Sequence, residues 1–178
     1  MGNKSAAEAH KSARSWLDKL KPERFYENSY LPVLQQMGTE IIDSLGPITA
    51  RHLSVIIARA HKFGRTGTQI KEQVWTAVGK RRRVSNEPSG EIVYWPDGAQ
   101  ISKSLPFRGL LVNGELRSWQ DVPYQEKFGL ALEIAGSEKR TDLAAVMAAR
   151  IGFSRLKQVT RDELETLIIT ALDELKTR

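Results

Sequence analysis

The 178-residue sequence contains no cysteine, which excludes a disulfide framework, a thiolate metal or iron–sulfur site and a thiol nucleophile. A reducing, cytoplasmic location is the expectation. Histidine is scarce as well, and His10, His52 and His61 form no HExxH or other paired ligand spacing. His52 and His61 stand nine apart on one predicted helix and point in different directions, so solvent or local hydrogen bonds are their expected partners. No stretch of about 18 apolar residues occurs, as a membrane span needs, and the opening run to Trp16 has no secretory apolar core. Met1-Gly2 is not followed by the hydroxyl residue of an acylation signal, because position 6 is Ala6. Walker and GxSxG patterns are absent. After Pro96-Asp97, Ile101 stands where Lys103 would need the acid of a restriction-nuclease core, so Asp97-Gly98 reads as a turn. The chain is therefore expected to be noncatalytic and to need no cofactor or metal.

Acidic residues are short in one half only. Residues 1–90 hold 15 Lys or Arg against 8 Asp or Glu, whereas residues 91–178 hold 12 against 13. Between Arg51 and Arg83 nine basic residues accompany a single acid, Glu72. Such a concentrated excess predicts a basic surface facing a polyanion, although a solvated face is the competing account.

Sliding the sequence by 90 residues against itself reveals a weak repeat. Leu31-Pro32 opens an amphipathic stretch through Leu45, and Val122-Pro123 opens another through Ala135. A second helix follows in each copy: Leu53, Ile56, Ile57 and Ala60 answer Leu143, Val146, Met147 and Arg150. The clearest mark is the turn, Phe63-Gly64-Arg65 in one copy and Phe153-Ser154-Arg155 in the other. A third helix places Ile70, Val74, Ala77 and Val78 on one face, matched by Leu164, Leu167, Ile168, Ala171, Leu172 and Leu175. Thr160 and Glu163 have the spacing of a capping box for the last helix.

After the first copy the period changes. Arg82 to Ser85 and Glu91 to Trp95 read as short strands around the turn-rich Asn86 to Gly90. The expected fold is mainly α with a small β-hairpin, built from tandem helix-turn-helix units of which only the first is winged. The layout is a helical polar lead-in over residues 1–28, a winged unit over 29–98, a connector over 99–119 with a turn at Asn113-Gly114, and a wingless unit over 120–178. Trp16, Leu17 and Leu20 are expected to pack, at a place the sequence pattern does not fix. Trp75, Tyr94, Trp95, Phe107 and Trp119 offer surfaces for unpaired bases, but core positions are their expected place.

From about Gly46 onward, Phe63 to Ile70, Tyr94-Trp95-Pro96, Pro106-Phe107-Arg108, Val122-Pro123 and Ile151 to Arg155 carry a resemblance. They resemble the uncharacterised C-terminal domain of large bacterial helicase-like proteins that also bear a very-short-patch-repair-type nuclease domain. The resemblance implies a parent protein that works on DNA and assigns this domain no role. The second copy departs from it, since Leu156-Lys157 replaces the Thr-Gly that follows Arg65.

The turn ahead of a recognition helix is an efficient place for DNA contacts, because free backbone N–H groups favour phosphate and nearby side chains reach base edges. Arg65, Thr66, Gly67 and Thr68 lie there, Gln69, Lys71 and Gln73 stand on the following helix, and Lys80, Arg81, Arg82 and Arg83 follow at its end. These eleven residues are the candidate nucleic-acid-binding set, with duplex DNA as the expected partner. Gly67 as a simple turn residue and residues 80–83 as a C-terminal helix cap are the plainer alternatives. Gly64-Arg65-Thr66-Gly67 before Ile70 also fits the GxxG loop of KH domains, which clamps single strands. A third reading is an adaptor that docks on a helicase or nuclease polypeptide.

Overall fold

The computed structural model describes residues 16–79, 81–137 and 142–177, and the chain divides into two compact units, 1–99 and 100–178. Among the described residues six α-helices accompany small antiparallel sheets. No described helix is long and apolar enough to cross a membrane.

In the first unit, the described part of the lead-in forms three single 3-10 turns, not α-helix. Trp16 and Phe25 are buried there, while Leu17 stays exposed and Leu20 is half-buried. Helix α1 (Leu31–Leu45) begins where Pro32 supplies a preset φ and no surplus N–H, and it buries Leu34, Met37, Ile41, Ile42 and Leu45 on one stripe. A full side-chain burial of this kind stabilises by about 1.5–3 kcal/mol. Strand β1 (Ile48–Thr49) leads into α2 (Ala50–Ala60), whose N-terminus is capped by the Thr49 hydroxyl accepting from the His52 N–H. Helix α3 (Thr68–Val74) then widens into a π-helical turn over Trp75–Gly79. Gly38 on α1 is required here: a Cβ would lie 2.5 Å from a Val78 methyl. Ile70, Val74, Ala77 and Val78 are all buried, as their spacing predicts.

Strands β2 (Arg83–Asn86) and β3 (Ile92–Trp95) form the hairpin, each starting one residue later than the sequence pattern places it. Val84 pairs with Tyr94 across the hairpin, Ile48 pairs with Tyr94 on the other side, and the sheet order is β1-β3-β2. Trp95 is buried and donates its indole N–H to the Ser85 hydroxyl at 2.8 Å.

The second unit begins earlier than a connector over 99–119 allows. Strands β4 (Leu111–Val112) and β5 (Glu115–Leu116) pair with each other around Asn113-Gly114, both at positive φ, and not with the first unit's hairpin. Arg108 and Arg117 hold the fully buried Glu126 of α4 (Tyr124–Ser137), with contacts of 2.6 Å and 2.5 Å. Residues 100–119 are thus part of the unit's frame, and Phe107, Leu110 and Trp119 join its core. Helix α5 (Leu143–Ile151) is capped by Asp142, and its buried stripe is Ala144, Met147, Ala148 and Ile151. That stripe leaves Arg150, the one polar residue in the repeat's matched second-helix positions, exposed. Helix α6 (Gln158–Lys176) starts ahead of Thr160, so the expected Thr160–Glu163 capping box does not form and Glu163 pairs with Lys127 instead.

The two units share one local geometry. Lys62 has φ +61° and Gly152 has φ +95°, and they are 90 residues apart in sequence. Phe63 N–H bonds Ala58 C=O at 3.0 Å, and Phe153 N–H bonds Ala148 C=O at 2.9 Å. Both α2 and α5 therefore end in the same left-handed cap.

Candidate nucleic-acid interface

Helix α2 stops because Lys62 turns left-handed, and the chain then runs exposed through Gly64 and Arg65 before α3 begins at Thr68. Under this turn lies an aromatic cluster. Phe25 meets His61 and Phe63 edge-on, with ring centres 4.9 Å and 5.0 Å away, and Phe63 stacks on His61. His61 is buried, its Nδ1–H donates to the Ile57 carbonyl at 2.8 Å, and its Nε2 accepts from the Tyr30 hydroxyl at 3.0 Å. The Tyr30 oxygen in turn accepts the Lys21 N–H at 2.9 Å. Burial pushes the His61 pKa below the ordinary histidine value, more than the bond to Ile57 raises it. A neutral, fully bonded imidazole thus pins the lead-in beneath the turn.

Above the cluster is a groove of about 560 Å³. Tyr26, Lys62, Phe63, Arg65, Thr68 and Gln69 line it together with Gly64, Gly67 and Ile70. No acidic side chain is among them. The side chains of Lys62, Arg65 and Lys71 are exposed and have no ion-pair or hydrogen-bond partner among the described residues. A Cβ built on Gly64 or Gly67 would meet nothing within 4 Å, so packing does not demand glycine at either position.

The eleven candidate residues fall into two groups at opposite ends of α3 and its π turn, about 18 Å apart at 1.5 Å per residue. Arg65, Thr66, Gly67, Thr68, Gln69 and Lys71 come together at the turn and on the first turns of α3. Gln73 is drawn away from any groove-reading role, because its amide donates to the Phe25 carbonyl at 3.1 Å. At the other end Arg82 is nearly buried and bridges Asp43 and Asp97. Arg83 donates to the Ala99 carbonyl at 2.9 Å, and Arg81 donates to Gln35. The basic run is therefore largely engaged in holding the hairpin to α1 and to the segment after β3. Lys80 lies outside the described residues, as does His10.

Tyr26 and Lys62 are missing from the sequence-derived set. Tyr26 is 54% exposed and belongs to a segment with no periodicity, so no pattern in the sequence marks it. Of the weighed aromatics, Tyr94, Trp95 and Trp119 are buried and Phe107 is half-buried, but Trp75 is 37% exposed. Trp75 borders a second, apolar pocket of about 310 Å³ between α2, α3 and the hairpin, floored by Val74, Ile92 and Tyr94. Among the described residues no three His, Asp or Glu side chains gather as a metal site.

Residues 23–72 match a family model described as Protein of unknown function (DUF3320). The match runs from the lead-in through α1, α2 and the turn into α3, and so includes Tyr26, the groove and Lys71. No curated protein and no solved structure matches the chain.

Proposed function

We propose that residues 29–98 are a winged helix-turn-helix unit that binds nucleic acid, duplex DNA above all, without catalysis, as an accessory to helicase or nuclease polypeptides. The element order α1-β1-α2-α3-β2-β3 with sheet order β1-β3-β2 supports the fold reading. One observation carries the function: the side chains of Lys62, Arg65 and Lys71 are unpaired and no acid lines the groove that Lys62 and Arg65 share, while Arg81, Arg82 and Arg83 are spent inside the unit. Free cations gain most from a polyanion, since nothing within the protein need be given up. Exposed Gln69 and Lys71 stand where a recognition helix presents its side chains to a major groove.

Anisotropy of labelled duplex DNA, single-stranded DNA and RNA at two salt concentrations tests this. Duplex binding is expected to weaken with salt, by about 0.9 in log–log slope for each phosphate neutralised. Arg65→Glu with Lys71→Glu is expected to lower affinity at least tenfold and leave the thermal melt unchanged. Arg82→Ala is expected to do the reverse, costing about 1–3 kcal/mol of stability because Asp43 and Asp97 lose their common partner. Unchanged affinity in the double variant at all salts overturns the proposal. Two further readings each rest on an observation: the open Gly64 and Gly67 favour a KH-like single-strand clamp, and the apolar pocket beside Trp75 favours an adaptor. Tighter binding of single strands selects the first, and absence of all binding selects the second.

A further inference from the structure

We propose that the groove between Tyr26 and the turn at residues 62–67 takes one unpaired nucleotide, its base stacked on the Tyr26 ring and its phosphate held by Lys62 and Arg65. The inference rests on the nucleic-acid reading above and narrows it: the preferred ligand is a duplex that ends in, or is interrupted by, single strand. The groove and the exposed side of α3 share Thr68 and Gln69, so a strand leaving a duplex at α3 passes directly into it.

Tyr26 is built as a platform. Its ring is exposed, yet its base is fixed by Phe25, fully buried and edge-on to it at 5.1 Å and 76°. Phe25 is itself tied to α3 through the Gln73 amide. The Tyr26 hydroxyl has no partner among the described residues. Folding has thus already ordered the aromatic face that a base would need, which removes that cost from binding.

Lys62 adds an independent sign. It occupies a left-handed position, φ +61°, that the second unit fills with Gly152. A side chain there is strained, and such strain marks places where a particular side chain is wanted. Lys62 lines the same groove as Tyr26 and Arg65. The volume of about 560 Å³ falls within the ~300–1,000 Å³ of ligand sites. An apolar protein side chain would strip water from two cations without replacing it, whereas a nucleotide brings both a π face and an anion.

The full chain is titrated by anisotropy against one blunt duplex and the same duplex carrying a four-nucleotide overhang with 2-aminopurine at its first unpaired position. The overhang probe is expected to bind about tenfold more tightly, with 2-aminopurine emission quenched on stacking. Tyr26→Ala removes that tenfold preference and the quenching. Tyr26→Phe keeps both, which separates stacking from any damage to the fold. Equal binding of the two probes, or an overhang preference that survives Tyr26→Ala, overturns the inference and leaves the duplex-binding proposal standing. Failure of both probes to bind overturns both.

Discussion

The two units repeat a backbone and diverge in how they use charge. Where the first leaves Lys71 unpaired, the residue 90 positions on, Arg161, bridges Asp142 and Glu165. Where Gln73 reaches a backbone carbonyl, Glu163 pairs with Lys127. The first unit is buttressed by a three-stranded sheet. The second is buttressed by two arginines converging on one buried carboxylate. A repeated turn therefore does not imply a repeated surface: Arg65 and Arg155 both stand exposed without a side-chain partner after the same left-handed cap, but the cation on the following helix is free in the first unit and neutralised in the second.

The largest way to break the comparison is at Glu126. Burial alone would raise its pKa, but hydrogen bonds from Arg117 and Arg108 outweigh that and hold it below the ordinary carboxylate range. Arg117 is itself nearly buried and spends its other contacts on the Gly109 carbonyl, at 2.7 Å and 3.0 Å. Glu126→Gln keeps the shape and leaves two guanidiniums without a counter-charge, an outcome that costs about 3–5 kcal/mol for a buried pair. Amide hydrogen exchange is expected to accelerate throughout α4, α5 and α6 and to stay unchanged in α1 and α2. Equal loss of protection in both units would show that the triad is not a private buttress of the second.

Acid separates the units by a smaller margin. Below the ordinary histidine value of 6.5 the unfolded chain takes up a proton that buried His61 refuses, so its contribution is complete above about pH 6.5 and is lost as pH falls. The slope is at most about 1.4 kcal/mol per pH unit. Glu126, with its lowered value, contributes fully above about pH 4.5 and loses its contribution only below that. Exchange protection measured between pH 6.5 and 5 is expected to decline in α1 and α2 first, and replacement of Tyr30 by Phe, which frees the His61 Nε2, to shrink the effect. Simultaneous decline in both units would refute a histidine origin.

Local signals were readable and distant ones were not. Pro32 and Pro123 mark two helix starts, the 90-residue shift aligns the turns, and Asn113-Gly114 announces a turn, because each rests on residues a few positions apart. The segment over 99–119 looked like a connector because what folds it is remote: Arg108 and Arg117 find Glu126 18 and 9 residues later. Arg82 looked like a phosphate contact for the same reason, its partners Asp43 and Asp97 being 39 and 15 residues away. Half of the candidate interface was legible as a basic turn. The other half, Tyr26, arrives from the lead-in through Phe25, and no periodic pattern connects position 26 to position 65.

The smallest effect is the sharpest test of the comparison. Lys62 and Gly152 occupy the same left-handed cap, so Lys62→Gly makes the first turn resemble the second. Relief of the left-handed conformation is worth about 1–2 kcal/mol and the greater freedom of glycine in the unfolded chain returns about 0.4–1, leaving a net gain of about 0.5–1 kcal/mol. A denaturant midpoint that rises while affinity for the overhang probe falls would mean that the first unit keeps a less stable cap for the sake of its charge. A midpoint that rises with affinity unchanged would make Lys62 a bystander, and the difference between the two units would then lie in Tyr26 and the unpaired Lys71.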